Sequence, residues 1–178
     1  MESESIESRL NAKNPDVIQL FSAATANGVK VAAALEEIAA ERQCDNFYEA
    51  HTVRIRASEN YAPFFLKLNP TGKIPVIVDS HAKETGPVEE REVTLFESGA
   101  ILMYLAERYD VLLPKDFNLR YKTIEWLFWG SSEFSAQVNL EEGVIGYFPM
   151  LVVSCFIWSG ALEDSSGVLL SYSVVSLA

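Results

Sequence analysis

Three short stretches carry residues whose types and spacing could do chemistry. The first is Phe21 to Lys30, FSAATANGVK, a strand-to-helix loop carrying Thr25, Asn27 and Gly28. A helix N-terminus presents unpaired N–H groups and a partial positive charge, which together hold an anion or a thiolate. Thr25 could donate a hydroxyl hydrogen bond to a ligand sulfur, and Asn27 an amide one. The same residues could equally cap the helix, with Gly28 easing the turn. The second stretch is Lys73-Ile74-Pro75-Val76. Proline has no N–H to give to a ladder, so Pro75 suits a turn or a sheet edge. With a cis Ile74–Pro75 bond, the backbone of Ile74 could pair with an extended peptide, whereas an ordinary trans proline would only start a strand. The third is Leu95-Phe96-Glu97-Ser98-Gly99-Ala100-Ile101. Here Ser98 and its N–H could bind a carboxylate and Glu97 an ammonium, gripping the amino-acid end of a small zwitterion. Capping and compensation of the helix dipole would use the same two residues.

The elements that must position these stretches can be read from pattern. Val17 to Phe21 is a short apolar strand. Val31, Leu35 and Ile38 recur at spacings of four and three, a helix with one buried stripe running to about Arg42. Phe47 to Ile55 returns to strand character, and Ala62-Pro63 opens a short helix, proline being tolerated in a first turn. The turn cluster Asn69 to Lys73 leads into a strand over 74–78, and the polar run Ser80 to Glu92 reads as an exposed loop. Val93 to Phe96 is a last strand, followed by a helix from Glu97 to near Tyr109. The order βαβα-ββα places the chain in the α/β class. Its first two strands should be parallel through a right-handed crossover, and its last two form a hairpin.

Composition narrows the function classes. The chain has 178 residues, is 49% apolar and carries a net charge of −11. That charge opposes nucleic acid and anionic membrane surfaces, so neither is expected as a partner. Cys44 and Cys155 form no disulfide framework and no metal-ligand spacing, which fits a reducing, cytoplasmic setting without a metal. His51 and His81 stand far apart, and Trp126, Phe128 and Trp129 read as helix-packing residues. The opening MESESIESRL is acidic, has no apolar core segment and reads as a solvated tail over residues 1–16.

The combination ANG, NPTGKIPVIVD and LFESGAILMYLAERY resembles the N-terminal domain of soluble glutathione transferases. T-x-N-G at Thr25 to Gly28 and IEWLFW at Ile124 to Trp129 are similar to the Nu-class, or disulfide-bond-reductase-like, branch. The resemblance covers about Val17 to Trp129. It implies a thioredoxin-like, glutathione-binding domain over residues 17–110, then a linker and first helix of an all-α domain over 111–142. It further implies a cis Pro75, glutathione as co-substrate, and a small disulfide or an electrophile as acceptor. Thr25 and Asn27 would lie beside the glutathione sulfur in the catalytic role that tyrosine, serine or cysteine takes in other classes. Ile74, before Pro75, would pair with the cysteinyl backbone, and Lys73 would approach the glycyl end. Glu97 and Ser98 would bind the γ-glutamyl group. The branch commonly has glutamine where Asn60 aligns, so the Asn60 amide reaches less far toward glutathione. Ala26 stands where the branch has proline.

The last third departs from this pattern. All 14 Lys and Arg residues lie at or before Lys122, and Gly143 to Leu162 carries no charge. Residues 143–178 are open to three readings: a truncated or misspliced end that leaves the all-α region incomplete, a divergent remnant of that domain, or a membrane segment over Val144 to Leu162. The span is just long enough to cross, yet Gly146, Pro149 and Gly160 interrupt it and no flanking Lys or Arg orients it, so a membrane partner is not expected. The expected function is a glutathione-dependent transferase or disulfide reductase, compatible with a homodimer. The rivals are a non-catalytic glutathione-binding or regulatory interaction protein and an inactive fragment.

Overall fold

The computed structural model describes residues 14, 16–44, 46–82 and 92–132. Strand β1, Ile18–Ser22, is buried along almost its whole length. It feeds helix α1, Ala26–Arg42, which crosses to strand β2, Tyr48–Thr52. Two 3-10 turns, Ile55–Ala57 and Glu59–Tyr61, lead to the short helix α2, Pro63–Leu68, with proline in its first turn as the sequence predicts. Strands β3, Val76–Asp79, and β4, Val93–Phe96, follow, then helix α3, Ser98–Tyr109, and helix α4, Phe117–Ser131.

The strands form one mixed sheet in the order β2-β1-β3-β4. β1 and β2 are parallel, Ile18 facing Tyr48, as the helical crossover requires. β3 runs antiparallel to β1 with Leu20 opposite Ile77, and β4 antiparallel to β3 with Ile77 opposite Leu95. Alternation along the strands sorts the core onto two faces. Ile18, Leu20 and Ile77 meet Val31, Leu35 and Ile38 of α1 and Ile101 and Leu105 of α3. On the other face Phe21, Val53 and Val76 meet Phe65 of α2. A third cluster of Ala34, Leu102, Ala106 and Leu127 fastens α4 to α1 and α3. Each fully buried aliphatic side chain contributes about 1.5–3 kcal/mol, so α1 and α3 are held mainly by these stripes. This is the thioredoxin-like α/β fold expected from the sequence, with helices on both sides of the sheet.

The expected strand over Phe47 to Ile55 is shorter in the structure. β2 lies at the sheet edge and stops at Thr52. The Val53 N–H donates to Ser22 O at 2.7 Å while its side chain turns into the core. Beyond it, Glu59 accepts from the Arg54 backbone N–H at 2.7 Å and from Arg54 Nε at 2.6 Å. That local closure winds the chain into the 3-10 turns in place of further strand. Helix α1 starts at Ala26, earlier than the apolar stripe indicates, because Thr25 caps it. On α4 only Leu127 of the IEWLFW run is buried, while Trp126 and Phe128 are 51% and 67% exposed. Most of the polar run Ser80 to Glu92 (residues 83–91), the N-terminal stretch and everything past Ser132, including Cys155 and the uncharged run, lie outside the described residues. Among the described residues no helix is long and apolar enough to cross a membrane.

Candidate functional site

Sheet register brings the three chemistry-bearing stretches to one edge. Phe21 of β1 faces Val76 of β3, and Val76 faces Phe96 of β4. The loop leaving β1, the turn entering β3 and the step from β4 into α3 therefore open at the same end of the sheet.

At the first of these, Thr25 is the N-cap of α1, with its backbone in an extended conformation and Oγ1 accepting the Gly28 N–H at 3.2 Å. The carbonyl of Thr25 accepts from Val29 at 2.9 Å. The hydroxyl thus caps the helix through its lone pairs, and its own proton has no acceptor among the described residues. Capping and donation to a ligand use different parts of one group, so both sequence readings are compatible. Gly28 is required here: a Cβ would meet Ala23 O and Ser22 Oγ, each at 2.3 Å.

Asn27 joins two helix starts. Its Oδ1 accepts from Lys30 Nζ at 3.0 Å and lies 3.5 Å from Ser98 Oγ at the first turn of α3. Lys30 is fully buried, and its Nζ also stands 3.5 Å from Gly130 O of α4. Burial lowers its pKa below the ordinary lysine value. The sequence reading did not single out Lys30. The available signal was its place on the apolar stripe of α1, four residues before the buried Ala34.

Two buried asparagines shape the turn before β3. Asn69 donates Nδ2 to Lys73 O at 2.7 Å and accepts from the Thr71 N–H and hydroxyl at 3.0 and 2.9 Å. Asn60 donates Nδ2 to Gly72 O at 2.8 Å, and its Oδ1 has no partner among the described residues. Asn60 thus sits beneath the turn and secures it. Gly72 takes φ +66°, and a Cβ there would lie 2.8 Å from the Tyr61 ring. With the carbonyls of Gly72 and Lys73 tied down, the chain presents an exposed Lys73, a half-buried Ile74 and a cis bond to a buried Pro75. The backbone N–H and C=O of Ile74 take no partner among the described residues.

The third stretch places Glu97 at φ 73°, ψ 114°, a region non-glycine residues rarely adopt and which costs roughly 1–3 kcal/mol. Its carbonyl accepts from the Ile101 N–H at 3.0 Å, but its carboxylate makes no capping bond and is exposed. Ser98 is buried. Side-chain capping by Glu97 is therefore not what holds α3, and the carboxylate is available to an ammonium group.

Of the remaining candidates, His51 pairs with Phe21 in register at this end of the sheet, while His81 and Cys44 do not. His51 stacks on Phe21 with Nε2 2.7 Å from Gln19 Oε1, His81 lies 3.8 Å from Asp16, and Cys44 is exposed. Among the described residues no cluster of three His, Cys, Asp or Glu could hold a metal ion.

Residues 16–107 match the family described as Glutathione S-transferase, N-terminal domain. The disulfide-bond oxidoreductase YghU of Escherichia coli K12 is 38% identical over 112 residues, covering 63% of this chain and 36% of YghU. YfcG of the same organism, also a disulfide-bond oxidoreductase, is 37% identical over 113 residues, covering 64% of this chain and 48% of YfcG. A glutathione transferase family member from Pseudomonas fluorescens Pf-5, crystallised with two glutathione bound, superposes with a TM-score of 0.62 at 35% identity, covering 85% of this chain and 64% of that one. The chain thus spans less than half the length of these curated relatives. Fold and similarity agree: the chain belongs to the glutathione S-transferase family through its N-terminal domain.

Proposed function

We propose that the edge formed by Thr25, Asn27, Ile74, Glu97 and Ser98 binds glutathione and uses its thiolate to reduce a small disulfide, as in the disulfide-bond-reductase-like branch. The observation that carries this reading is the 3.5 Å approach of Asn27 Oδ1 and Ser98 Oγ, which brings the N-termini of α1 and α3 together. A γ-glutamyl carboxylate would take the Ser98 hydroxyl and the free N–H groups of the first turn of α3, and its ammonium the Glu97 carboxylate. The cysteinyl backbone would pair with Ile74 next to Pro75, and the glycyl carboxylate would lie toward Lys73. Asn60 would support the site by fixing Gly72.

A free thiol with a pKa of about 8.5 is largely protonated at neutral pH. The N–H groups of α1, the Thr25 hydroxyl and the Asn27 amide would favour the thiolate. That sulfur attacks one sulfur of the disulfide; the S–S bond breaks and the leaving thiolate takes up a proton. A second glutathione thiolate then attacks the mixed disulfide at the glutathione sulfur. Oxidised glutathione and the second substrate thiol result, and no protein cysteine is needed. Attack on an electrophilic carbon by the same thiolate is the weaker, conjugating activity.

The test is retention of the full chain on glutathione-agarose, followed by glutathione-dependent reduction of hydroxyethyl disulfide. Retention and turnover that falls in Asn27→Ala are expected. Undiminished turnover in Asn27→Ala refutes the thiol assignment, and retention without turnover favours a binding or regulatory protein.

A further inference from the structure

We propose that Lys30 is a positioning residue of the thiol site, its ammonium holding Asn27 with Oδ1 inward and Nδ2 turned to the ligand sulfur. The inference rests on the reading that Asn27 faces that sulfur, and concerns what makes it a donor there. An asparagine amide offers an acceptor on one side and a donor on the other, and a flip exchanges them. A donor next to sulfur stabilises a thiolate; an oxygen there repels it.

Lys30 decides between the two. An ammonium has three donors and no acceptor, so the amide atom 3.0 Å from Nζ must be oxygen. Ser98 Oγ stands on the other side, 3.5 Å from the same oxygen, and gives it the hydroxyl proton when no ligand carboxylate takes it. Both approaches occupy Oδ1, and Nδ2 has no partner among the described residues. The i, i+3 spacing on α1 sets Lys30 one turn behind Asn27, where it is sealed from water. Gly130 O, 3.5 Å from Nζ, backs the ammonium from α4, so the orientation of Asn27 is tied to the docking of that helix.

A buried ammonium is costly unless hydrogen-bonded, and a surface lysine would serve the packing of α1 no worse. Its position behind a helix N-terminus adds positive potential where the helix dipole is already positive. An anion bound in front of Asn27 is the complement to both.

The test reads the pKa of the glutathione thiol bound to the full chain, from thiolate ultraviolet absorbance against an S-methylglutathione blank. Lys30→Met keeps the length of the side chain and removes its donors. The bound-thiol pKa is expected to rise by about one unit, a tenfold loss of thiolate preference, in Lys30→Met. In an Asn27→Ala background the same substitution should add little, because its effect passes through Asn27. An unchanged thiol pKa in Lys30→Met, or shifts that add in full, overturn the proposal. A wild-type thiol pKa in Asn27→Ala instead refutes the placement of Asn27 at the sulfur. Should Lys30→Met fail to fold, the Asn27 side-chain amide protons of the full chain are followed by NMR with glutathione and with S-methylglutathione bound. A change in those protons between the two ligands supports Nδ2 at the sulfur, and identical resonances overturn it.

Discussion

Thr25 lets stability and thiol chemistry be separated at one side chain. Its oxygen caps α1 by accepting from Gly28 at 3.2 Å, while its proton has no acceptor among the described residues. Thr25→Ala removes both. The lost cap should cost about 1 kcal/mol, which in a domain of this size lowers Tm by roughly 4–8 °C. The lost donor to a charged sulfur should cost about 1.5–3 kcal/mol, roughly 10- to 100-fold in kcat/KM for disulfide reduction. Thr25→Asp splits the two effects. Aspartate is as good a cap and gains from the helix dipole, so Tm should hold or rise. It has no proton to give at neutral pH and faces the thiolate with like charge, so turnover should fall below that of Thr25→Ala. Thr25→Ser retains cap and donor and should stay near the parent in both measurements. Thermal unfolding followed by circular dichroism, run beside steady-state kinetics over a range of disulfide concentrations, gives both numbers. Wild-type kcat/KM in Thr25→Asp would show that the hydroxyl serves the helix alone.

Two further perturbations test the frame around the site. Gly28→Ala drives a Cβ into Ala23 O, a backbone atom 2.3 Å away that cannot swing aside. A loss of about 1–3 kcal/mol in urea unfolding is expected, with weaker retention on glutathione-agarose because the start of α1 must shift. Alkaline titration tests the half-buried phenols of Tyr104 and Tyr48. Burial first, then the hydrogen bond to Asp79 at 2.8 Å, holds the Tyr104 pKa well above its ordinary value; burial and then Glu36 do the same for Tyr48. A folded-state pKa above the unfolded one means that this stabilisation is complete below about pH 10 and is lost as pH rises beyond it. Urea midpoints should therefore fall above that pH, and Asp79→Asn should make Tyr104 ionise earlier in the ultraviolet titration.

Much of the architecture was legible in local pattern because local physics fixes it. The stripe Val31, Leu35, Ile38 marks α1, and Pro63 opens α2 at the helix position where its missing N–H costs nothing. The end of β2 was not legible. Val53 and Ile55 have strand propensity, but an edge strand has a partner on one side only, and the Arg54–Glu59 contacts offered the chain a better local closure. The group Asp79, Tyr104 and Arg108, with Arg108 Nε 2.8 Å from Asp79 Oδ2, joins a strand end to a helix. No sequence spacing announces it, since it exists only once α3 lies on the sheet. Lys30 is the intermediate case. Its place on the apolar stripe was visible, but its meaning needed Asn27 on one side and Gly130 on the other.

Each of the three stretches had a sufficient explanation on its own: a cap, a strand-starting proline, a compensated helix dipole. Register brings them to one end of the sheet. β3 is antiparallel to β1, so the start of β3 meets the end of β1, and β4 brings its own end back beside both. Were β3 parallel to β1, Ile74 would open at the far edge of the sheet, and no arrangement of Thr25 and Ser98 could share a ligand with it. The strain at Glu97 and the burial of Ser98 have the same origin, since the chain must turn from β4 into α3 within a single residue to set that helix start against Asn27. Capping and binding therefore draw on the same backbone groups. An alanine substitution at Thr25 will register as structural unless paired with one that keeps the cap and removes only the donor.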